Sequence, residues 1–141
     1  MSVALSRPGA SISRSGALLT WSAGPPPNDP GVVYVTELHL ARLRDVPAFF
    51  RTSMAIRSQV RRSAGARALV LNARPLARRF TTVSWWDDEA AVRAFVRTDP
   101  HKASMRRWRP RLAGFRNEGF PGTAGVAPTL ATADQGVGGA A

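Results

Sequence analysis

Four side chains of this 141-residue sequence have the types and spacing for chemistry on a small molecule: Thr82, Ser84, Trp86 and His101. Thr82, Ser84 and Trp86 alternate along Phe80–Trp86, so in a strand they share one face. Two hydroxyls beside an indole offer stacking area plus orienting polar groups, which suits a flat aromatic ligand. Ordinary core packing is the competing reading. His101 follows Pro100, and an imidazole titrates near neutrality, so it can move a proton or ligate a cofactor. The plainer alternative is a helix-start histidine bonded to nearby backbone. His39 shares a strand face with Glu37, an acid–base or metal pair in principle and a solvated strand edge in the plainer view. Asp87, Asp88 and Glu89 resemble an acid cluster, but at a helix start they serve as caps and favour the helix dipole. Arg106, Arg107, Arg109 and Arg111 surround Trp108. With Arg116 they read either as an anion-binding stripe with an aromatic platform or as a solvated face beside one buried indole.

The elements that position these groups follow from periodicity. Val32–Leu40 is β-branched and aromatic, hence a strand. Asp45 and Pro47 mark the start of a helix in which Val46, Phe49, Phe50, Met54 and Val60 recur at helical spacing, with Arg51, Arg57, Arg61 and Arg62 between them. Gly65 stops it. Ala66–Ala73 and Phe80–Trp86 are two further strands, joined through Arg74-Pro75-Leu76-Ala77. Asp87 or Asp88 caps a second helix with Ala91, Val92, Phe95 and Val96 on its buried side, and Pro100 closes it. His101–Arg109 forms a short helix and Leu112–Phe120 a fourth strand. The order β-α-β-β-α-β is the ferredoxin-like split βαβ, an α+β sandwich with one antiparallel sheet and its helices on one face. The other face then shows apolar residues to solvent, so pairing of two copies into a dimeric α+β barrel is expected.

Three regions emerge: a flexible segment 1–31 ending in the proline run 24–31, a domain 32–120, and a disordered Gly/Ala/Thr-rich tail 121–141. Gly16–Trp21 is the apolar patch of the first region, suited to an edge strand or a cover for the core. The chain has no cysteine, which rules out disulfides and thiolate metal sites. With two histidines and no carboxylate cluster at ligand spacing, no metal site is expected. No apolar run is long enough to span a membrane and no secretory signal is evident, so a cytoplasmic protein is expected. The net charge of +11 comes from 20 basic and 9 acidic residues. The arginines are dispersed rather than clustered, so nucleic acid is not the expected partner. There is no phosphate-binding glycine loop and no dinucleotide fingerprint.

The pattern Val83-Ser84-Trp85-Trp86-Asp87-Asp88-Glu89-Ala90, then Phe95, then Pro100-His101, resembles the dimeric α+β barrel proteins, in particular the antibiotic-biosynthesis-monooxygenase-like group. The resemblance covers about Val32–Phe120. It implies a homodimer and a cavity between sheet and helices, with Trp86 and His101 matching the group's strand-end tryptophan and short-helix histidine. It also implies a monooxygenase-like enzyme acting on a hydrophobic aromatic or polyketide-like molecule, with His101 catalytic, Trp86, Thr82 and Ser84 binding the substrate, and no cofactor. Thr82 stands where cofactor-free oxygenases often carry an asparagine. Phe95 and Met105 hold the places of the tryptophan and histidine used by the haem-degrading branch, which disfavours that route. The alternatives are a non-catalytic small-molecule or anion-binding protein, or a haem-binding protein with His101 as axial ligand.

Overall fold

The structure is a computed structural model and describes residues 10–13 and 16–134. Strands β1 (Ala10–Ser13), β2 (Gly16–Ser22) and β3 (Val32–Leu40) lead to helix α1 (Val46–Arg62). Strands β4 (Ala66–Arg74) and β5 (Arg79–Trp86), helices α2 (Glu89–Val96) and α3 (His101–Trp108), and strand β6 (Leu112–Pro121) complete the order. The strands form one six-stranded sheet in the order β1-β2-β4-β5-β3-β6, antiparallel at every pairing. The four strands β6-β3-β5-β4 are the ferredoxin-like α+β core, as the sequence implies.

Register decides which residues share the helix-covered face. Thr36 pairs with Thr82 and Tyr34 with Ser84. Leu71 pairs with Thr82 and Leu69 with Ser84, and Asn117 pairs with Thr36. Adjacent rows on this face are therefore Leu71–Thr82–Thr36–Asn117 and Leu69–Ser84–Tyr34–Gly119, because side chains alternate across the sheet with period two. At Gly119 a Cβ would lie 2.6 Å from the Tyr34 ring, so that ring would have to move. The helices cover this face unevenly. Phe49 packs edge-on against Phe80 and Trp108, with ring centroids 4.7 and 5.0 Å away. At the other end Val60, Leu69, Trp86 and Val92 cluster.

Three structural features add to the sequence pattern. First, the sheet takes in strands that precede residue 32. Strand β2 pairs along β4 from Ala17–Ala73 to Ser22–Ala68, because β4 would otherwise present an unpaired edge. The proline segment is tied in as well: the carbonyl of Pro30 accepts from Trp85 Nε1 at 2.7 Å. Arg67 also bonds Asp29 and Asp87, and it lies 4.9 Å over the Trp85 ring. The expectations for residues 1–9, 14–15 and 135–141 lie outside the described residues.

Second, the sheet face opposite the helices is not left open. Val33, Val35, Val70, Val83 and Trp85 are buried there together with Ala133, with Ala127 and Leu130 packed against them. Arg116 bridges to this cover, bonding Glu37, Glu118 and the Ala133 carbonyl. Residues 122–134 thus cover this part of the sheet within one chain. Third, Asp45 makes no capping bond to α1 and instead pairs with Arg111 at 3.3 Å. No helix among the described residues is long and apolar enough to cross a membrane.

Candidate functional site

Between the sheet and the three helices lies a cavity of about 570 Å³, within the roughly 300–1,000 Å³ usual for small-molecule sites. Thr82, Ser84, Trp86 and His101 all line it. They reach it by different routes. The first three rise from alternate positions of β5, and His101 enters from the start of α3. Apolar walls come from Leu69, Leu71 and Phe80 on the sheet and from Phe49, Ile56 and Val60 on α1.

Trp86, Phe95 and His101 form a continuous aromatic wall. The Trp86 and Phe95 rings lie 5.0 Å apart, and Phe95 lies 4.8 Å from the imidazole. Such tilted stacks are favourable; Trp86 is buried behind them at 1% exposure, while Phe95 and His101 are partly exposed. The hydroxyls of Thr82 and Ser84 have no protein hydrogen bond among the described residues, so both are available to a ligand. Their strand neighbour Thr36 is already engaged, donating to Asn117 Oδ1 at 3.0 Å.

The position of His101 depends on Gln59, a buried residue of α1. Its Nε2 donates to the carbonyls of Phe95 and Thr98, both at 3.0 Å. Its Oε1 accepts the backbone N–H of His101 at 2.8 Å. One amide side chain therefore ties the end of α2 to the start of α3. His101 Nδ1 lies 3.3 Å from the Val96 carbonyl. With Nδ1–H donating there, Nε2 carries the lone pair, and it has no protein partner among the described residues. Burial pushes the His101 pKa below its ordinary value of 6.5, and the bond to Val96 only partly opposes this. The imidazole is consequently neutral at pH 7, with an Nε2 lone pair that can accept a proton.

At another part of the cavity Tyr34 donates to Glu89 Oε1 at 2.5 Å. That bond raises the Tyr34 pKa, so the phenol stays protonated. Asp88, not Asp87, caps α2, accepting from the Ala91 N–H at 2.9 Å. Asp87 is held by Arg67. The three acids therefore have separate tasks and form no catalytic cluster.

Other sequence candidates are dispersed. Glu37 is bound to Arg116 rather than His39. Trp108 is buried and donates to Thr52 Oγ1 at 3.0 Å. Arg107 and Arg111 lie over its ring at 4.9 and 5.7 Å. It is a core residue with arginine stems alongside, not an exposed stacking platform. No group of three or more metal-ligating side chains occurs among the described residues.

Residues that the sequence did not single out include Gln59, Tyr34 and Arg57. Arg57, one of the arginines between the apolar positions of α1, lines the cavity. Its spacing from Ser53 and Val60 on the sheet-facing stripe was the available signal. A polar residue at a core-facing helical position is the general form of that signal, and Gln59 carries it too.

No family profile and no curated protein matches the chain. Solved structures do. One is an uncharacterized ferredoxin-fold protein related to antibiotic biosynthesis monooxygenases from Listeria monocytogenes. It is 16% identical with a TM-score of 0.57, and the match covers 76% of this chain and 64% of that one. A heme-degrading enzyme from the same species is 15% identical with a TM-score of 0.58, over 77% of this chain and 71% of its own. A Pseudomonas aeruginosa protein is 18% identical with a TM-score of 0.60, over 69% and 98%. The chain thus spans just under two thirds of the first of these. The chain shares the ferredoxin-like fold of these structures.

Proposed function

We propose that the chain is a monooxygenase-like enzyme acting on a hydrophobic aromatic or polyketide-like molecule held between sheet and helices. The observation that carries this reading is the convergence of Thr82, Ser84, Trp86 and His101 on one largely apolar cavity. Trp86 and Phe95 would stack on the ligand, and Thr82 and Ser84 would orient its oxygen atoms. A neutral His101 would take a proton through Nε2 from an acidic C–H or O–H of the substrate. Oxidation of a ring CH2 to a carbonyl by O2 is balanced without a further reductant. One oxygen atom enters the product, and the other leaves as water with the two hydrogens. The likeness to the monooxygenase-related Listeria fold supports this class.

The test uses hydroxylated anthrones as probes, with O2 uptake for turnover and tryptophan quenching for binding. His101→Ala is expected to abolish uptake and retain quenching. Unchanged rates in that variant remove His101 from the mechanism, and the absence of quenching by every probe removes the aromatic cavity reading.

Two alternatives are separated by the same protein sample. A non-catalytic binding protein is favoured by Thr82 standing where an amide would add a second polar group; it would quench without uptake. A haem protein is favoured by the Nε2 of His101, which has no protein partner among the described residues and could hold a haem iron. Bound haem would supply redox chemistry at its iron, and His101 would hold that iron. A Soret band that appears on haem addition and is lost in His101→Ala would support it.

A further inference from the structure

The cavity carries more positive charge than its apolar walls require. Arg57, Arg93, Arg97 and Arg109 line it, against one carboxylate, Glu89. Four cations against one anion leave a formal excess of three, and Glu89 is already the acceptor for Tyr34. Among the described residues, none of these four guanidinium groups takes part in an ion pair. The contrast with Arg67, Arg111 and Arg116 is direct, since each of those is matched to an acid. The protein spends its carboxylates elsewhere.

Arg93, Arg97 and Arg109 are exposed, and water satisfies them. Arg57 differs. Its Nε is buried and has no hydrogen-bond partner. Buried donors without partners are rare in native proteins, and a charged one is especially unfavourable. α1 has alternatives on its outer face, where Arg51, Arg61 and Arg62 are exposed. Arg57 instead occupies the stripe between Ser53 and Val60, both buried against the sheet.

We propose that the cavity takes an aromatic carboxylic acid, its flat body against Trp86 and Phe95 and its carboxylate on the guanidinium of Arg57. The chemistry of the donor selects this ligand class. With Nε buried, the donors left to a ligand are the two terminal NH2 groups of Arg57, whose end-on edge matches both oxygens of a carboxylate. The three exposed arginines add a positive field that draws the anion inward. This inference rests on the reading of the cavity as a site for flat apolar molecules, and it names what distinguishes the preferred one.

The experiment compares anthraquinone-2-carboxylate with its methyl ester, by tryptophan quenching at constant ionic strength. The unsubstituted protein is expected to bind the acid at least about tenfold more tightly than the ester. Arg57→Met keeps the stem and removes the charge. It should erase that preference while leaving ester affinity within about twofold. Arg57→Lys keeps the charge without the fork and should give an intermediate preference. Arg61→Met, on the outer face of the same helix, should leave the preference intact. Thermal melts establish that each variant is folded; if Arg57→Met is not, Arg57→Lys carries the test. Equal affinity for acid and ester, a preference that survives Arg57 substitution, or an equal loss in Arg61→Met overturns the carboxylate assignment. Ester binding in those cases leaves the aromatic cavity standing. Failure of both probes to bind the unsubstituted protein overturns both readings together.

Discussion

Gln59→Met is the substitution that most directly tests how the site is held. Methionine has nearly the same length and volume as glutamine, so packing is conserved while all three side-chain hydrogen bonds are lost. Those bonds hold the Phe95 and Thr98 carbonyls and the His101 N–H. At about 0.5–1.5 kcal/mol net per hydrogen bond, the three sum to roughly 1.5–4.5 kcal/mol. The lower end is unsafe, because Gln59 is only 4% exposed and water cannot fully replace it. The expected loss is therefore about 2–4 kcal/mol by urea unfolding. In a domain of this size that corresponds to a fall in Tm of roughly 6–20 °C. The substitution should also weaken quenching by the aromatic probes, because His101 and Phe95 form one wall with Trp86. Gln59→Glu should be at least as damaging, since a carboxylate oxygen would then face two carbonyls. A loss below about 1 kcal/mol in Gln59→Met, with probe affinity unchanged, would refute the view that this amide positions the site.

Further outcomes follow from the same structure. Burial lowers the His101 pKa, so the unfolded chain takes up a proton at a pH where the folded chain does not. Stability should therefore rise with pH up to the ordinary value of 6.5 and be lost as pH falls below it. His101→Gln should reduce that slope, and because exposed His39 is also shifted downward, the difference between the two proteins isolates His101. Phe95→Ala should weaken aromatic probe binding several-fold and cost about 3–5 kcal/mol at most, less because Phe95 is only half-buried. Ala133→Glu places a charge against the Val33–Val35–Val83 cluster. It should detach the 122–134 cover, expose an apolar sheet face and increase self-association in sedimentation relative to the unsubstituted chain. Gly119→Ala should displace Tyr34 and break its bond to Glu89, seen as a Tyr34 phenol that titrates at a lower pH.

Much of this molecule was legible in local pattern. The β-branched run 32–40 and the spacing of Phe49 and Val60 each report the period of one element, and each element formed where its pattern lies, whereas α2 ends at Val96 and Pro100 instead precedes α3. The common face of Thr82, Ser84 and Trp86 follows from strand alternation alone, and all three do line one cavity. The capping role of Asp88 likewise depends on residues within one turn.

What the tertiary structure decided involves partners distant in sequence. Strand β2 finds its place because β4, about fifty residues later, has a free edge. Residues 122–134 lie over Val33 and Val83 because an alanine- and threonine-rich segment without periodicity can still bury apolar surface on a neighbouring sheet. Arg57 and Gln59 look like ordinary polar residues of a surface helix until α1 is laid on the sheet. Only then does one become a partly buried arginine whose Nε has no partner and the other the clasp between two helices. Periodicity assigns a residue to a face; what that face meets depends on packing between elements that no local spacing encodes.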